Sequence, residues 1–393
     1  MRLVFLKILL VLMCVLRTLF PSAAYMNIGY DRLPVSFNVE KVSDVYLPDN
    51  SDVCEYPTIL RLEHQKNSED NGRLLASFEK WNDTYPVYES CDDAQSWHFI
   101  SSVKDELNPN YINEWMPFLY ELPADIGDFE KGTIILAATS IYGSGVTDST
   151  ITLYSSDDLG RNFSAFCNVD KAGGIEWGVW EPYLIYEEET GRLFCFYSDD
   201  SDPHHSQKLV YKYTTDMIHW SKKKECVACK DVYLRPGMVS VVKMGSGEYF
   251  MVYEMVGLDG QPIYCKKSRS LDDWGDVSDY GRKISAAGKT LGSSPYAAWT
   301  PSGGACGTLI VTAHHHSDGR SRTGTDMFLS FDYGKTFVPV DNPIPYSSDV
   351  DRCGYSPSLF VSSDDGAVYY VNNPSHDSGS YKITMAEIVI SDK

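Results

Sequence analysis

Short apolar runs separated by turns recur along most of the chain. Six segments start with a proline and continue into an apolar run, and these prolines, about 54 to 65 residues apart, are Pro57, Pro117, Pro182, Pro236, Pro295 and Pro357. In each unit a turn rich in glycine or charge follows, and then a second and a third apolar run. Proline suits the first residue of a strand, because its missing N–H removes no ladder hydrogen bond there. Three strands and a short outer fourth in each of six units predict an all-β fold, a six-bladed β-propeller with four-stranded antiparallel blades.

Most of the third runs lead into a Ser/Thr-x-Asp turn that closes on an aromatic residue. The clearest copies run from Ser330 to Phe337 and from Ser156 to Phe163. In such a turn the serine and aspartate side chains bond to nearby backbone, glycine takes a positive φ, and the aromatic ring packs beneath the turn. These turns resemble the Asp-boxes of sialidases and related propellers, and we interpret their residues as structural.

The last unit runs out after the apolar residues 381–390 and has no fourth strand of its own. A spare strand-like segment, Val35–Tyr46, lies near the N-terminus. We expect this segment to supply the outer strand of the sixth blade and so to close the ring.

Residues 1–24 have the order of a secretory signal peptide. Basic residues precede an apolar run at 8–16, and small residues follow at 22–24. The alternative is a transmembrane anchor, but Arg17 interrupts the apolar stretch and leaves it short of the roughly 20 residues that a span needs. We therefore predict a secreted, extracellular protein in which residues 25–393 form a single propeller domain.

The chain is strongly acidic, with a formal net charge of −20 over 393 residues. Loss of the signal peptide removes only basic charges and makes the mature chain more negative still. Such a surface repels phosphate backbones, anionic lipid headgroups and sialic acids. We therefore expect a monomer that acts on neutral substrates and binds neither nucleic acid nor membrane.

Ten cysteines fall to nine once Cys14 leaves with the signal peptide. In an oxidising compartment some should pair, and an odd number leaves at least one free or intermolecular. Cys226 and Cys229 have CxxC spacing, but no second CxxC follows, so a structural disulfide nearby is favoured over a metal or redox pair. Sequons at Asn82 and Asn162 are compatible with extracellular glycosylation.

One face of the predicted disc collects two kinds of residue around the central funnel. In a blade whose strands meander outwards, the first strand begins on the face where the second strand ends. The ionisable and aromatic residues at or beside these positions are Glu181, Arg235, Glu254, Asp199, Asp200, His314, His315, His316, Tyr355, Trp180, Trp177 and Trp115.

Two glutamates from adjacent blades should point to one axis. Glu181 opens the third blade, and Glu254 ends the second strand of the fourth. Cleavage of a glycosidic bond requires such a pair: one carboxyl group protonates the leaving oxygen, and the other attacks the anomeric carbon or activates water. Glu254 follows the apolar residues 249–253, where a carboxylate without a role would be costly. The alternative is that Glu254 forms a buried ion pair with Arg235.

The segment Val179-Trp180-Glu181-Pro182-Tyr183-Leu184, followed 73 residues later by Glu254 in Val252-Tyr253-Glu254, resembles glycoside hydrolase family 93, the exo-acting α-L-arabinanases built on a six-bladed propeller. The resemblance extends over essentially the whole mature chain. It implies that Glu181 is the general acid/base and Glu254 the nucleophile of a retaining mechanism, which releases arabinobiose from the non-reducing end of linear α-1,5-arabinan. Retention requires the carboxyl groups to lie ~5–5.5 Å apart.

The resemblance also suggests roles for neighbouring side chains. Tyr355 would hydrogen-bond Glu254 and orient it, with plain packing as the alternative. Arg235 would donate to a sugar hydroxyl or to Glu254, lowering the pKa of that carboxyl so that it stays ionised. Burial against Trp177 and Trp180 would help Glu181 to keep its proton.

The remaining predictions concern substrate binding. The substrate-binding residues are predicted to be Trp115, Trp177, Trp180, Arg235, His314 and Asp199. The three histidines at 314–316 suggest a metal, but adjacent strand residues point to opposite faces, so at most two of them converge. Hydrogen bonding to sugar or surface exposure is favoured, and we expect no metal or cofactor.

Two other functions stay open. Sialidases share the Asp-boxes, but they clamp the substrate carboxylate with three arginines, one of them beside the first-blade proline, where Tyr56 stands here. A non-catalytic carbohydrate-binding propeller is the second, since the fold alone implies no activity. Among propeller glycosidases, specificity is expected to depend on loops such as those at 142–150 and 199–206.

Overall fold

Six antiparallel sheets follow one another along the chain in this computed structural model. The structure describes residues 33–49, 52–81, 84–142, 148–173, 178–317, 322–346, 352–363, 366–376 and 379–393. The predicted signal peptide, Trp177 and the sequon residue Asn82 lie outside the described residues. Pro34–Lys393 forms one compact unit.

The first four sheets have four strands each, and within each sheet the strands follow chain order. They are Cys54–Arg61, Leu74–Lys80, Tyr85–Ser90 and His98–Val103 in the first blade; Tyr111–Glu121, Ile134–Tyr142, Ser149–Ser156 and Ser164–Lys171 in the second; Val179–Glu187, Arg192–Asp199, Lys208–Thr214 and Lys224–Val227 in the third; and Arg235–Lys243, Tyr249–Val256, Ile263–Ser268 and Arg282–Lys283 in the fourth. A 3-10 helix, Ser68–Asp70, lies between the first two strands of the first blade.

The fifth sheet is larger, and the sixth joins the two ends of the chain. The fifth has Tyr296–Thr300, Thr308–Thr312, Arg322–Ser330 and Val338–Tyr346 as its blade, with Ser285–Ala286, Lys289–Gly292 and His315–Ser317 added along Arg322–Ser330. The sixth has Ser358–Val361, Val368–Asn372, Ile383–Asp392 and, outermost, Val35–Tyr46. Among the described residues, no helix reaches the length and apolarity of a bilayer-crossing segment.

The predicted closure of the ring is confirmed. Val35–Tyr46 pairs antiparallel with Ile383–Asp392, from Val35 opposite Asp392 to Tyr46 opposite Ile383. Val35, Phe37 and Val45 are buried along this strand. Pairing covers an edge that would otherwise expose unpaired backbone groups.

The core lies in the spaces between neighbouring blades. Phe194 and Phe196 of the third blade, for example, belong to the same buried cluster as Met251 and Tyr253 of the fourth. Each sheet therefore buries both faces, which explains the nearly continuous apolar runs of the inner strands.

All nine cysteines that follow Cys14 lie within the described residues, and all are free. The predicted disulfide near Cys226 and Cys229 is therefore wrong. Both residues are buried, and burial raises the pKa of Cys226 to about 12. They pack as small apolar side chains.

The Ser-x-Asp turns are held by their own side chains. In the fifth blade, Ser330 Oγ donates to Asp332 and accepts the N–H of Gly334 at 2.8 Å. Asp332 in turn accepts the N–H of Thr336 at 2.9 Å. Gly334 has φ 75°, a conformation that glycine adopts without steric cost.

The innermost strand of every blade contains, or begins two residues after, a left-handed residue that is not glycine. These residues are Tyr56, Met116, Glu181, Met238, Ser294 and Ser356, with φ between 45° and 60°. In the first four blades the strand register shifts at this point, as in a β-bulge. A left-handed conformation is strained for such residues and is enriched at functional sites.

Candidate active site

A cavity of about 60 Å³ lies inside this ring of left-handed residues, and Glu181 lines it together with Tyr56, Met116, Met238 and Ser356. A second cavity, of about 340 Å³, shares Phe118, Tyr183 and Tyr296 with the first. Five of the six left-handed residues therefore line one central cavity.

Glu181 is held at the cavity by its backbone and by one hydroxyl. Its left-handed φ of 55° turns it out of the regular strand pattern. Ser198 Oγ, on the paired strand, donates to Glu181 Oε2 at 2.6 Å. Burial raises the pKa of Glu181 to about 7, and the nearby charge of Glu254 adds to the rise, whereas the Ser198 hydrogen bond opposes it. The carboxyl group is thus protonated for part of the time at neutral pH.

Glu254 is more buried, with 6% of its surface exposed. The backbone N–H of Ser294, the left-handed residue of the fifth blade, donates to Glu254 Oε2 at 2.9 Å. Burial raises the pKa of Glu254, while Ser294, Ser293 and Arg235 lower it. Arg235 therefore lowers this pKa as predicted, but desolvation outweighs it and the net shift is upward.

Gly237 lies close to Glu254 and to the serine that holds Glu181. A Cβ atom on this glycine would lie 3.6 Å from Glu254 Oε1 and 3.5 Å from Ser198 Oγ, the atom that donates to Glu181. The same Cβ would lie 2.5 Å from Gln207 Nε2. The absence of a side chain at 237 thus leaves room for both carboxyl groups in one space.

Tyr355 lies beside this pair, next to a second tyrosine that the sequence reasoning did not select. Its ring meets that of Tyr56 edge-on, with centroids 5.4 Å apart. Burial and the charges of Glu254 and Glu181 raise the pKa of Tyr355. The phenol is therefore neutral, and its hydroxyl donates to Met238 Sδ at 3.7 Å and not to Glu254 as predicted.

Two tryptophans, each next to a left-handed residue of the second or third blade, pack against each other. The rings of Trp115 and Trp180 have centroids 6.3 Å apart, and Trp180 Nε1 donates to Asp200 Oδ2 at 3.0 Å. A Cβ at position 178 would lie 1.8 Å from the Trp180 ring, so only glycine admits the indole in this orientation. Asp200 also accepts the N–H of Gly178.

Arg235 lies near the site but does not occupy the position predicted for it. In the fourth blade the left-handed residue is Met238, three residues later, so Arg235 is not the counterpart of Glu181. Arg235 Nη2 donates to Gln207 Oε1 at 2.7 Å and lies 3.9 Å from Asp200 Oδ2. Its side chain is 46% exposed, and the alternative of a buried Arg235–Glu254 ion pair is not what the structure shows.

Asp199 does not join the cluster. Successive strand residues point to opposite faces, and because Ser198 points to Glu181, Asp199 points away. Its carboxylate forms an ion pair with Lys223 at 2.7 Å and accepts the N–H of Ser201. Asp200, the next residue, points to the same face as Ser198 and contacts Trp180.

The histidines diverge as the strand rule predicts. His314 lies beside Tyr355, with ring centroids 5.3 Å apart, and its Nε2 is 3.0 Å from Cys353 O. His315 is buried, with Nε2 3.4 Å from Gly260 O, and the side chain of His316 lies outside the described residues. Within the described part of the chain, no group of three or more His, Cys, Asp or Glu residues could hold a metal ion.

Sequence reasoning missed Ser198, Tyr56, Gly237 and Ser294. A signal existed for two of them, because Tyr56 and Ser294 precede the repeat proline just as Glu181 does. Ser198 and Gly237 are recognisable only from the strand pairing that places them beside the glutamates.

Comparison with solved structures identifies two similar enzymes. An α-L-arabinanase of Penicillium chrysogenum complexed with arabinobiose matches with a TM-score of 0.76 and 28% identity, covering 90% of this chain and 98% of that chain. A GH93 α-L-arabinofuranosidase of Fusarium graminearum with arabinobiose matches with a TM-score of 0.73 and 28% identity, covering 89% and 98%.

A protein of unknown function from Dyadobacter fermentans shares the fold at 13% identity and a TM-score of 0.59. No family model and no curated protein matches the chain. The two enzymes cover nearly the whole propeller, with the blades in the same arrangement. The predicted resemblance of this chain to glycoside hydrolase family 93 is thereby confirmed.

Proposed function

We propose that the protein is a secreted glycoside hydrolase, a retaining exo-α-1,5-L-arabinanase that releases arabinobiose from linear arabinan. The observation that carries the proposal is the pair of glutamates, Glu181 and Glu254, which lie near the same glycine, Gly237, and close enough for the charge of Glu254 to raise the pKa of Glu181. Two similar enzymes were solved in complexes with arabinobiose. The signal-like residues 1–24 support secretion.

Glu181 has the properties of the general acid/base. Its pKa of about 7 lets it donate a proton to the glycosidic oxygen as the bond to the leaving sugar breaks. The carboxylate that remains then takes a proton from water in the second step. A pKa near neutrality serves both transfers.

Glu254 is placed to act as the nucleophile. Its carboxylate attacks the anomeric carbon and forms a glycosyl-enzyme ester, which the water deprotonated by Glu181 then hydrolyses. The Ser294 N–H fixes one oxygen at 2.9 Å and leaves Oε1 on the Gly237 side. Two displacements at one carbon retain its configuration.

The surrounding side chains orient the reactants. Tyr355 has a neutral phenol near both carboxylates and donates to Met238 Sδ in this structure; in the proposed mechanism it orients Glu254. Trp115 and Trp180 offer aromatic surface to a sugar ring, and the exposed side of Arg235 offers donors to hydroxyl groups. The acidic chain suits a neutral arabinan.

Replacement of each glutamate tests the assignment. We expect Glu181→Ala and Glu254→Ala to lower turnover of linear arabinan by about 10³-fold or more, since each removes a group that acts at the reacting atoms. Azide should then rescue each variant on an activated aryl arabinoside. The Glu181 variant should yield an azide of retained configuration, and the Glu254 variant one of inverted configuration.

Glu189→Gln, which changes an exposed carboxylate in the same blade, is the matched control and should keep wild-type turnover. If both glutamate variants retain activity, or if azide gives the same configuration from both, the two-glutamate mechanism is wrong. Release of arabinose instead of arabinobiose would contradict the proposed product.

A further inference from the structure

A second aromatic surface lies on the same face of the disc, at blades one and six. Trp81 follows the second strand of the first blade and is 43% exposed. The guanidinium of Arg352 lies over its ring, with Cζ 4.9 Å from the ring centroid. The Arg352 side chain is itself 43% exposed. A flat aromatic and a flat cation are thus held together at the surface.

One buried carboxylate fixes both members. Arg352 Nη1 donates to Glu55 Oε1 at 3.1 Å and to Oε2 at 2.8 Å, and Trp81 Nε1 donates to Oε2 at 3.3 Å. Glu55 is only 1% exposed. Burial of a carboxylate is costly unless it is paired and hydrogen-bonded, so the orientation of the surface pair is built into the core.

The backbone of the arginine is constrained as well. Arg352 has a left-handed φ of 64°. The amide of Asn373, which is fully buried, donates to Arg352 O at 2.9 Å and to Cys54 O at 2.8 Å. A strained residue that its surroundings hold so firmly is typical of a ligand site. If these residues served only to hold the first and sixth blades together, the tryptophan would not need to be exposed.

This surface adjoins the funnel on the side opposite the glutamates. Glu55 precedes Tyr56, which lines the funnel and packs against Tyr355. Glu181 and Glu254 come from blades three and four, which face blades six and one across a ring of six. The funnel therefore has the glutamates on one side and the Trp81–Arg352 surface on the other, and a sugar chain that enters it passes between them.

The charge of the surface favours a neutral ligand. Glu55 pairs across the strands with Glu79, which is 2% exposed. Burial and the charge of Glu55 raise the pKa of Glu79 well above its usual range, which favours its neutral form, and Glu55 balances the charge of Arg352. Donors and an aromatic face without net charge suit sugar hydroxyls and C–H groups.

We propose that Trp81 and Arg352 form a distal subsite for a neutral sugar unit of the substrate chain, outside the units held at Glu181 and Glu254. This inference rests on the proposed function, because it assigns the subsite to the same chain-like substrate. It predicts that the enzyme distinguishes oligosaccharides by length.

The test compares Trp81→Ala with wild type on linear α-1,5-arabinotriose and α-1,5-arabinohexaose. We expect KM for the hexasaccharide to rise about three- to tenfold, the range of one aromatic contact, with kcat within twofold. KM for the trisaccharide should stay within twofold. Arg352→Lys, which keeps the charge beside Glu55 but loses the planar fork, should show the same length dependence to a smaller degree.

Phe99→Ala, in the outer strand of the same blade and 56% exposed, is the matched control and should change neither KM. An equal effect of Trp81→Ala on both substrates, or a change in thermal stability alone, overturns the subsite. Inhibition by an oligogalacturonide that Trp81→Ala abolishes would overturn the neutral sugar as the ligand. If wild type turns over neither arabino-oligosaccharide, the proposed function fails first and the subsite with it.

Discussion

Glu181 and Glu254 are both buried carboxyl groups, yet their immediate partners differ. Glu181 accepts a hydrogen bond from the Ser198 hydroxyl and lies near the negative charge of Glu254. Glu254 accepts a backbone N–H and lies in the field of Arg235. When the pair holds one proton, that proton therefore lies mainly on Glu181. A retaining pair needs this arrangement, because one group donates a proton while the other attacks as a carboxylate.

We predict that Ser198→Ala shifts the pH dependence of kcat/KM. Catalysis needs protonated Glu181, so activity falls as the pH rises through about 7, the pKa of that residue. The hydroxyl stabilises the ionised form, and its removal should move the alkaline limb to higher pH by about one unit, the worth of one hydrogen bond to a charge. A pH–rate profile on linear arabinan checks this, and an unchanged or lowered limb would contradict the assigned acid.

The sequence predicted Glu254 because it follows an apolar strand, where a carboxylate is costly, and Glu181 because it stands beside the repeat proline that opens the third blade. The sequence also predicted Asp199 as a substrate-binding residue. Because strand residues alternate between faces, it is Ser198 and Asp200 that point to the site. A run of polar residues at a strand end does not reveal which of them faces the funnel. That choice depends on the exact residue at which the strand pairing begins.

The innermost strands share one backbone feature, a left-handed residue where the regular pairing is interrupted. Where proline follows it directly, as at Tyr56, Met116, Glu181, Ser294 and Ser356, the sequence marks the position. In the fourth blade Pro236 precedes Met238 by two residues, so alignment on proline selected Arg235 instead. The blade order was predictable from apolar periodicity, whereas a shift of three residues at the bulge of the fourth blade was not.

We predict that Gly237→Ala lowers kcat/KM on linear arabinan by about ten- to hundredfold, the cost of a misplacement near 1 Å. The new Cβ would meet Gln207 Nε2 at 2.5 Å, and Gln207 also donates to Pro236 O. Gly173→Ala, where nothing lies within 4 Å, is the control and should be neutral. Wild-type kinetics of the Gly237 variant would show that this contact does not govern the site.

The unit Pro34–Lys393 forms a ring that its first and last strands close. The pairing of Val35–Tyr46 with Ile383–Asp392 connects the first of these strands to the sixth blade's sheet. The sequence predicted this closure from a missing fourth strand. It did not predict the extra strands of the fifth sheet or the absence of disulfides among the nine cysteines, since neither changes the apolar repeat.

We predict that deletion of residues 2–46 destabilises the ring, whereas deletion of residues 2–32 does not. The longer deletion exposes the surface now covered by Val35, Phe37 and Val45, at about 2 kcal/mol for each side chain. For a domain of this size the loss should lower Tm by roughly 10 °C or more. Calorimetry of both proteins measures the difference, and equal Tm values would mean that the strand is dispensable.

A time-resolved proton NMR spectrum of linear α-1,5-arabinan during digestion by the wild-type protein tests the retaining mechanism directly, because it shows the anomeric configuration of the sugar that is released first. Glu181 and Glu254 acting in two displacements predict that arabinobiose accumulates first as the α-anomer and only later equilibrates. Initial release of the β-anomer, or no release of arabinobiose at all, would contradict the account.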